Sequence, residues 1–165
     1  MTPLHMDLNV IPAPLRAAHK ALDDLVNLVR GNIADWTLDQ LLRAMSLAFE
    51  LSRNRMVLLL CPNLKGYDEN IRDFTGGYVF GSKDGLVCVS AIFKNDRMEV
   101  KGVESADWNV KVMFEDVQAF WKFLLAGGND IFDSIMENDV EAYGNLNYLY
   151  KFGFMAKDLQ QRLGL

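Results

Sequence analysis

The sequence predicts an α+β fold: an antiparallel sheet covered by helices, with a pair of helices in front of it. Three observations carry this. Apolar residues recur at helical spacing up to about residue 55. Four strand-like runs follow at nearly even intervals, 76–82, 86–93, 97–103 and 108–114, each bounded by turn residues. Helical patterning then returns after residue 115. The 165 residues are half apolar and 24% charged, a balance that suits a folded domain rather than a disordered chain. The expectation is one domain, 1–165, made of an N-terminal helical extension, 1–55, and an α+β core, 56–165.

The first helix is expected over 14–30. Pro14 suits a first helical position, Gly31 follows as a stop, and Leu15, Ala18, Leu22, Leu25 and Val29 form one stripe. A second helix is expected to begin at Thr37 and run to about residue 54. Thr37 and Gln40 have the spacing of a capping box, and Trp36 and Leu41 that of a hydrophobic staple around it. Asn32–Asp35 would join the two as an antiparallel pair.

Met56–Cys61 is apolar throughout and is stopped by Pro62. Periodicity does not decide between a strand and the end of a helix here. Residues 63–74 read as a loop or a short irregular turn. Asp84-Gly85 and Asn95-Asp96 are hairpin signals, and Glu104–Asp107 separates the third strand from the fourth, so the four runs read as a meander. The second run is apolar on both faces and is expected in the middle of the sheet, or lining a cavity.

After the meander, Glu115–Ala126 reads as a helix with acid in its first turn and Gly127-Gly128 as its end. Asn129 or Asp130 can cap a shorter helix to about Glu137. A short strand at Asp139–Tyr143 ends at Gly144, and a last helix runs from about Asn145 to Leu163.

The charge distribution excludes several functions. The net charge is −5, and residues 1–55 carry six basic and six acidic side chains against eleven and sixteen in 56–165. That is no nucleic-acid footprint, and it argues against a purely electrostatic attraction to anionic membrane. The longest apolar run is six residues, too short to span a bilayer. No signal peptide is visible at the start and no peroxisomal address at the end. Cys61 and Cys88 lie in strand-like runs; a disulfide between them stays open, but buried free thiols in a reducing, cytoplasmic setting are the expectation.

Catalytic and metal motifs are missing. The only histidines are His5 and His19, both in the N-terminal part, and neither a CxxC nor an HxxxH spacing occurs. Gly76-Gly77 and Gly81 are not followed by the Lys-Ser/Thr of a phosphate loop and read as strand glycines. Asp130, Asp133, Glu137 and Asp139 cluster in sequence, but a solvated helix edge explains them. No cofactor is implied.

The last helix is the informative element. Leu146, Leu149, Tyr150 and Gly153 form one stripe, and Tyr148, Phe152, Met155 and Leu159 another. The helix at 115–126 has the same excess, with Val117, Phe120, Trp121, Phe123, Leu124 and Leu125. Helices this apolar need cover on more than one side, from protein, a partner or a ligand. A large aromatic core plus a dimer interface would satisfy them. So would a ligand, because Phe, Tyr, Trp and Met line adaptable apolar cavities.

Over roughly 75–160 the sequence resembles the sterol carrier protein type 2, or sterol-binding, domain family. The resemblance rests on a strand meander, a helix that begins Phe114-Glu115-Asp116, a second short helix, and the run Asn138-Asp139-Val140-Glu141-Ala142-Tyr143-Gly144-Asn145-Leu146 before the closing helix. It implies an antiparallel five-stranded sheet covered by helices, with an apolar tunnel between the two. It also implies binding of a fatty acyl, sterol-like or isoprenoid lipid, as carrier or accessory module. Carried over by position, Phe120 and Leu124 would wall the tunnel. Ile131 and Ile135 would come from the second helix, and Leu149, Phe152 and Met155 from the closing helix. The N-terminal helices have no counterpart role in that family, so sterol specificity does not transfer.

Three readings follow. The first is a non-catalytic lipid-binding module, with transient membrane contact and a homodimer both open. The second is a non-catalytic interaction or dimerisation protein whose apolar helices dock a partner. The third is an enzyme on an acyl or isoprenoid substrate with Tyr143, Tyr148 or Asp133 as acid or base, and the lack of histidines in 56–165 ranks it last.

Overall fold

In this computed structural model, residues 13–125 and 139–164 are described, with side chains for 20–122 and 139–164. The order of elements is α1 (Ala13–Leu51), α2 (Arg55–Leu60), two 3₁₀ turns (Pro62–Leu64 and Tyr67–Ile71), β1 (Gly76–Ser82), β2 (Cys88–Lys94), β3 (Arg97–Lys101), β4 (Val110–Phe114), α3 (Val117–Leu125), β5 (Val140–Gly144) and α4 (Leu146–Leu163). The class is α+β, as the patterning predicts.

The expected helix pair is one continuous 39-residue helix, α1. Gly31 does not stop it. A Cβ on Gly31 would lie 2.6 Å from the Cβ of Leu86, so the glycine is there to let the helix approach the β1–β2 hairpin. The capping box does not form either. Thr37 Oγ1 donates to the Ile33 carbonyl one turn back at 2.7 Å, and Gln40 bonds Asp39. The staple residues Trp36 and Leu41 are exposed. Beyond Gly31, Ala34, Leu42, Met45, Ala48 and Phe49 are buried against the sheet. Asp35 Oδ1 accepts from the Cys88 amide at 2.8 Å, and Ser46 Oγ donates to the Met98 carbonyl at 2.6 Å.

The undecided run Met56–Cys61 is helical. Asn54 caps α2 by accepting from the amides of Met56 and Val57. Cys61 follows it exposed, and Cys88 is half-buried; both are free thiols, so the expectation of two buried cysteines holds for neither in full.

The sheet is mixed, not antiparallel. Its order is β3-β2-β1-β4-β5, and β1 and β4 run parallel with Tyr78 opposite Val110 and Phe80 opposite Val112. The other three pairs are antiparallel. The reason lies in the connection from β3 to β4. It occupies residues 102–109, longer than the 2–5 residues of a usual hairpin loop. It therefore crosses the sheet instead of turning back beside β3. On the way it is held where Ser90 Oγ donates to the Val103 carbonyl and accepts from the Ser105 amide. The two hairpin turns are as predicted: Gly85 has φ 74°, and Asn95 and Asp96 have φ 53° and 56°.

The middle strand is thus β1 rather than the second run, and all seven of its residues are buried. Its glycines make this possible. A Cβ on Gly77 would lie 2.2 Å from the Asp107 carbonyl oxygen, where the crossing loop passes. One face of the sheet carries the core, formed by Tyr78, Phe80, Val89, Ala91, Phe93, Met98, Val110, Val112, Phe114 and Val140, with helices packed on it. The other face carries the crossing loop and ion pairs such as Lys111–Glu104 at 2.7 Å.

Candidate functional site

The candidate site is the layer between α4 and the core face of the sheet. Its floor is aromatic because β1 alternates: Tyr78 and Phe80 point to the same side, their ring centroids 6.4 Å apart and nearly parallel. Phe93, on the neighbouring strand, meets Tyr78 edge-on at 5.5 Å. Phe49 of α1 stacks on Tyr67 at 4.3 Å with an interplanar angle of 7°, closing the layer on one side.

The roof is α4. Asn145 caps it by accepting from the Asn147 amide, and Gly164 ends it in the left-handed conformation. Two tyrosines bolt it down from below. Tyr78 donates to the Tyr148 carbonyl at 2.9 Å and Tyr67 to the Met155 carbonyl at 3.0 Å. Burial pushes both phenols well above the usual tyrosine range, so they remain neutral donors. Arg162 adds a third tie, donating to the carbonyls of Asn63 and Lys65 at 3.0 and 2.8 Å while it pairs with Asp158.

The residues picked from the sequence fall into three groups. Leu149 and Met155 are fully buried under α4, and Phe152, half-buried, lies over Tyr78 and Phe80 at centroid distances of 5.1 and 5.0 Å. Phe120 is also buried, but in α3, edge-on to Phe114 at 5.4 Å and beside Trp121. The side chains of Leu124, Ile131 and Ile135 lie outside those described. Sequence reasoning passed over Phe49, Tyr67, Tyr78 and Phe80, which build the floor and one wall. Alternation over 76–82 could have singled out Tyr78 and Phe80 together. Phe49 falls on the apolar face that Leu41, Leu42, Met45 and Ala48 share at helical spacing, but nothing local marks Tyr67, and the two meet only in the fold.

Tyr150 and Phe154 are 58% and 61% exposed, and Leu146 is exposed as well. Two clefts among the described residues lie away from this layer. One, of about 400 Å³, is lined by Arg53, Asp68, Arg72, Asn95, Asp96 and Arg97; the other lies along β2 and β3 around Lys94 and Glu99.

Of the groups considered for acid–base work, the two tyrosines are poorly placed for it. Tyr143 faces away from the core and donates to Glu141, which holds its pKa up, while Lys83 holds that of Glu141 down. Tyr148 lies among the rings of Phe74 and Tyr78. Asp133 is outside the described residues. Burial raises the Cys88 thiol, which makes it a weaker nucleophile. Among the described residues no three His, Cys, Asp or Glu side chains gather as a metal site, and no helix is long and apolar enough to cross a membrane.

Solved structures of sterol-carrier type are similar to this chain. A UbiJ-SCP2 ubiquinone synthesis protein is 16% identical, with 79% of this chain and 94% of that one covered, at a TM-score of 0.46. Sterol carrier protein 2 from Yarrowia lipolytica, in its apo form, is 22% identical over 70% and 91%, at 0.42. A possible sterol carrier protein from Thermus thermophilus is 12% identical over 72% and 83%, at 0.40. An inverting sec-alkylsulfatase from Pseudomonas sp. is 13% identical over 55% of this chain but only 14% of its own, at 0.43. No protein-family model matches the sequence, and no curated protein matches it. The resemblance read from the residues thus has its counterpart in structural similarity to sterol-carrier-type domains at low identity.

Proposed function

We propose that the protein is a lipid-binding module that holds a fatty acyl, sterol-like or isoprenoid chain between α4 and the aromatic face of the sheet. Phe152 carries the reading. It is half-buried, it rests on Tyr78 and Phe80, and it shares the sheet-facing side of α4 with the buried Leu149 and Met155. A turn of its side chain would uncover an aromatic floor without unpairing any polar group. Leu149 and Met155 would line the same space, with Phe120, Leu124, Ile131 and Ile135 extending it toward α3. Burial of a chain of about 16 methylenes at ~0.8 kcal/mol each would give ~13 kcal/mol gross, which leaves room for entropy and desolvation costs. Binding on that scale requires no catalytic group.

The test is native mass spectrometry of the purified chain with added fatty acid, sterol or quinone. A stoichiometric adduct with one of these supports the reading; a mass that never changes removes it.

A second reading is favoured by α1. Leu22, Leu25, Val26, Val29, Ile33 and Trp36 recur at spacings of three and four and are all exposed. Such a stripe suits helix-to-helix association with a partner or a second copy. The oligomeric mass in the same spectrum addresses it.

A further inference from the structure

We propose that the outward face of α2 is a docking surface for an anionic lipid bilayer. Met56, Leu59 and Leu60 are 72%, 77% and 84% exposed, more than any other large apolar side chain among the described residues. Their spacing of three and four puts them on one ridge, and Arg55, one turn before Leu59, is on the same ridge. Val57 and Leu58 on the opposite side are half-buried, and Leu58 packs on the core, so the ridge has a fixed outward direction. A short helix with apolar side chains facing out and basic ones at its margin is the pattern of an interfacial segment.

Charge supplies the second observation. The chain carries −5 overall, yet between Glu50 and Asp68 the only charged residues are Arg53, Arg55 and Lys65. Arg53 is engaged by Asp68 at 3.7 Å and by the Asp96 carbonyl. Arg55 and Lys65 have no carboxylate within ion-pairing distance among the described residues. Screening limits electrostatic reach to about 8–10 Å at physiological salt, so a surface that meets α2 sees these cations rather than the acid elsewhere.

Size favours a bilayer over protein. The ridge is an apolar patch of at most a few hundred Å², and two such patches fall short of the ~1,000 Å² total expected of a stable protein interface. The larger exposed stripe of α1 lies among Lys20, Asp23, Asp24, Arg30 and Asp35, which sum to a negative charge and do not complement an anionic surface. The α2 surface also adjoins the candidate site, because Arg162 of α4 holds the Asn63 and Lys65 carbonyls just beyond α2. Docking would bring the closing helix to the membrane from which a lipid is taken. The surface is distinct from the ligand layer, and each can fail without the other.

The test is co-sedimentation of the full chain with vesicles of phosphatidylcholine alone and of phosphatidylcholine mixed equally with phosphatidylglycerol. The expected result is binding to the mixed vesicles only, weakened by salt. Arg55→Ala should weaken it about fivefold, the value of one basic residue near an anionic surface. Leu59→Glu with Leu60→Glu should weaken it at least about tenfold. Leu25→Glu with Val29→Glu on α1 should leave it unchanged. Unfolding curves and native-mass lipid uptake, run on every variant, separate docking from folding and from the ligand site. Equal binding to both vesicle types, no binding to either, or wild-type binding by both α2 variants overturns the proposal.

Discussion

The Tyr78 hydroxyl donates to the Tyr148 carbonyl oxygen at 2.9 Å, and by this bond the middle strand of the sheet holds the first turn of the closing helix. Tyr78 is fully buried and its ring also supports Phe152, so one side chain sets both the height and the footing of α4. Tyr78→Phe keeps the ring and removes the bond. It should cost about 1 kcal/mol and lower Tm by about 2–4 °C, measured by thermal unfolding. An unchanged Tm would mean that α4 does not depend on this tie.

The same two buried phenols give a pH dependence. Burial raises the folded-state pKa of Tyr67 and Tyr78 above the unfolded value of about 10. Above that pH the unfolded chain has released protons that the folded chain still holds, so stability falls as pH rises. Below it the contribution is fully present. Denaturant midpoints taken from about pH 8 to 11 should therefore be flat and then fall. The fall should be shallower in Tyr67→Phe with Tyr78→Phe.

Gly31 separates a helix stop from a packing contact. Helix propensity alone has Gly→Ala stabilising by about 1 kcal/mol in a helix interior. The 2.6 Å approach to the Leu86 Cβ reverses that sign. Gly31→Ala should lower the unfolding midpoint, and should lower it less in a Leu86→Gly background, where the Cβ it meets is gone. A stabilising Gly31→Ala would contradict the close packing of α1 on the hairpin.

Much of the fold is legible in the sequence because it is local. Gly76–Ser82 is a strand with the boundaries that alternation gives it, both hairpin turns form where Asp84-Gly85 and Asn95-Asp96 stand, and Asn145 caps the closing helix. What misleads is what depends on distant partners. Gly31 looks like a stop until Leu86 is placed beside it, and Thr37 looks like a cap although its hydroxyl finds the Ile33 carbonyl. The parallel pairing of β1 with β4 is decided by where the 102–109 crossing goes, which no local pattern encodes. Of the site, the roof residues stand out on the two apolar stripes of the closing helix, Leu149 on one and Phe152 and Met155 on the other. The wall pair Phe49 and Tyr67 does not, because eighteen positions of chain separate residues that stack face to face.

Arg162 ties the end of α4 to the segment after α2 through two carbonyls, one carboxylate and the face of the Tyr67 ring at 5.8 Å. Arg162→Ala leaves both carbonyls to water and Asp158 without its cation. The expected loss is about 1–2 kcal/mol, since the group is only partly buried. Hydrogen exchange should show faster opening of Leu64 to Ile71 and of the last turns of α4, with the strands unaffected. Uniform loss across the sheet would argue against so local a role.

Leu149 tests the layer under α4 from within. It is fully buried against the floor, so Leu149→Trp adds volume where a ligand would lie. Overpacking of a core costs about 1–3 kcal/mol. The variant should still fold, with a lowered midpoint, and should take up no apolar ligand. Uptake equal to wild type would place the ligand elsewhere.

The most direct test of the central claim is native mass spectrometry of the wild-type chain, as purified and after addition of fatty acid, sterol or quinone, followed by solvent extraction of the protein. The lipid-binding reading predicts a one-to-one adduct of lipid mass that Leu149→Trp abolishes. A wild-type mass that stays free of lipid under every addition would contradict it and leave α1-mediated association as the better account.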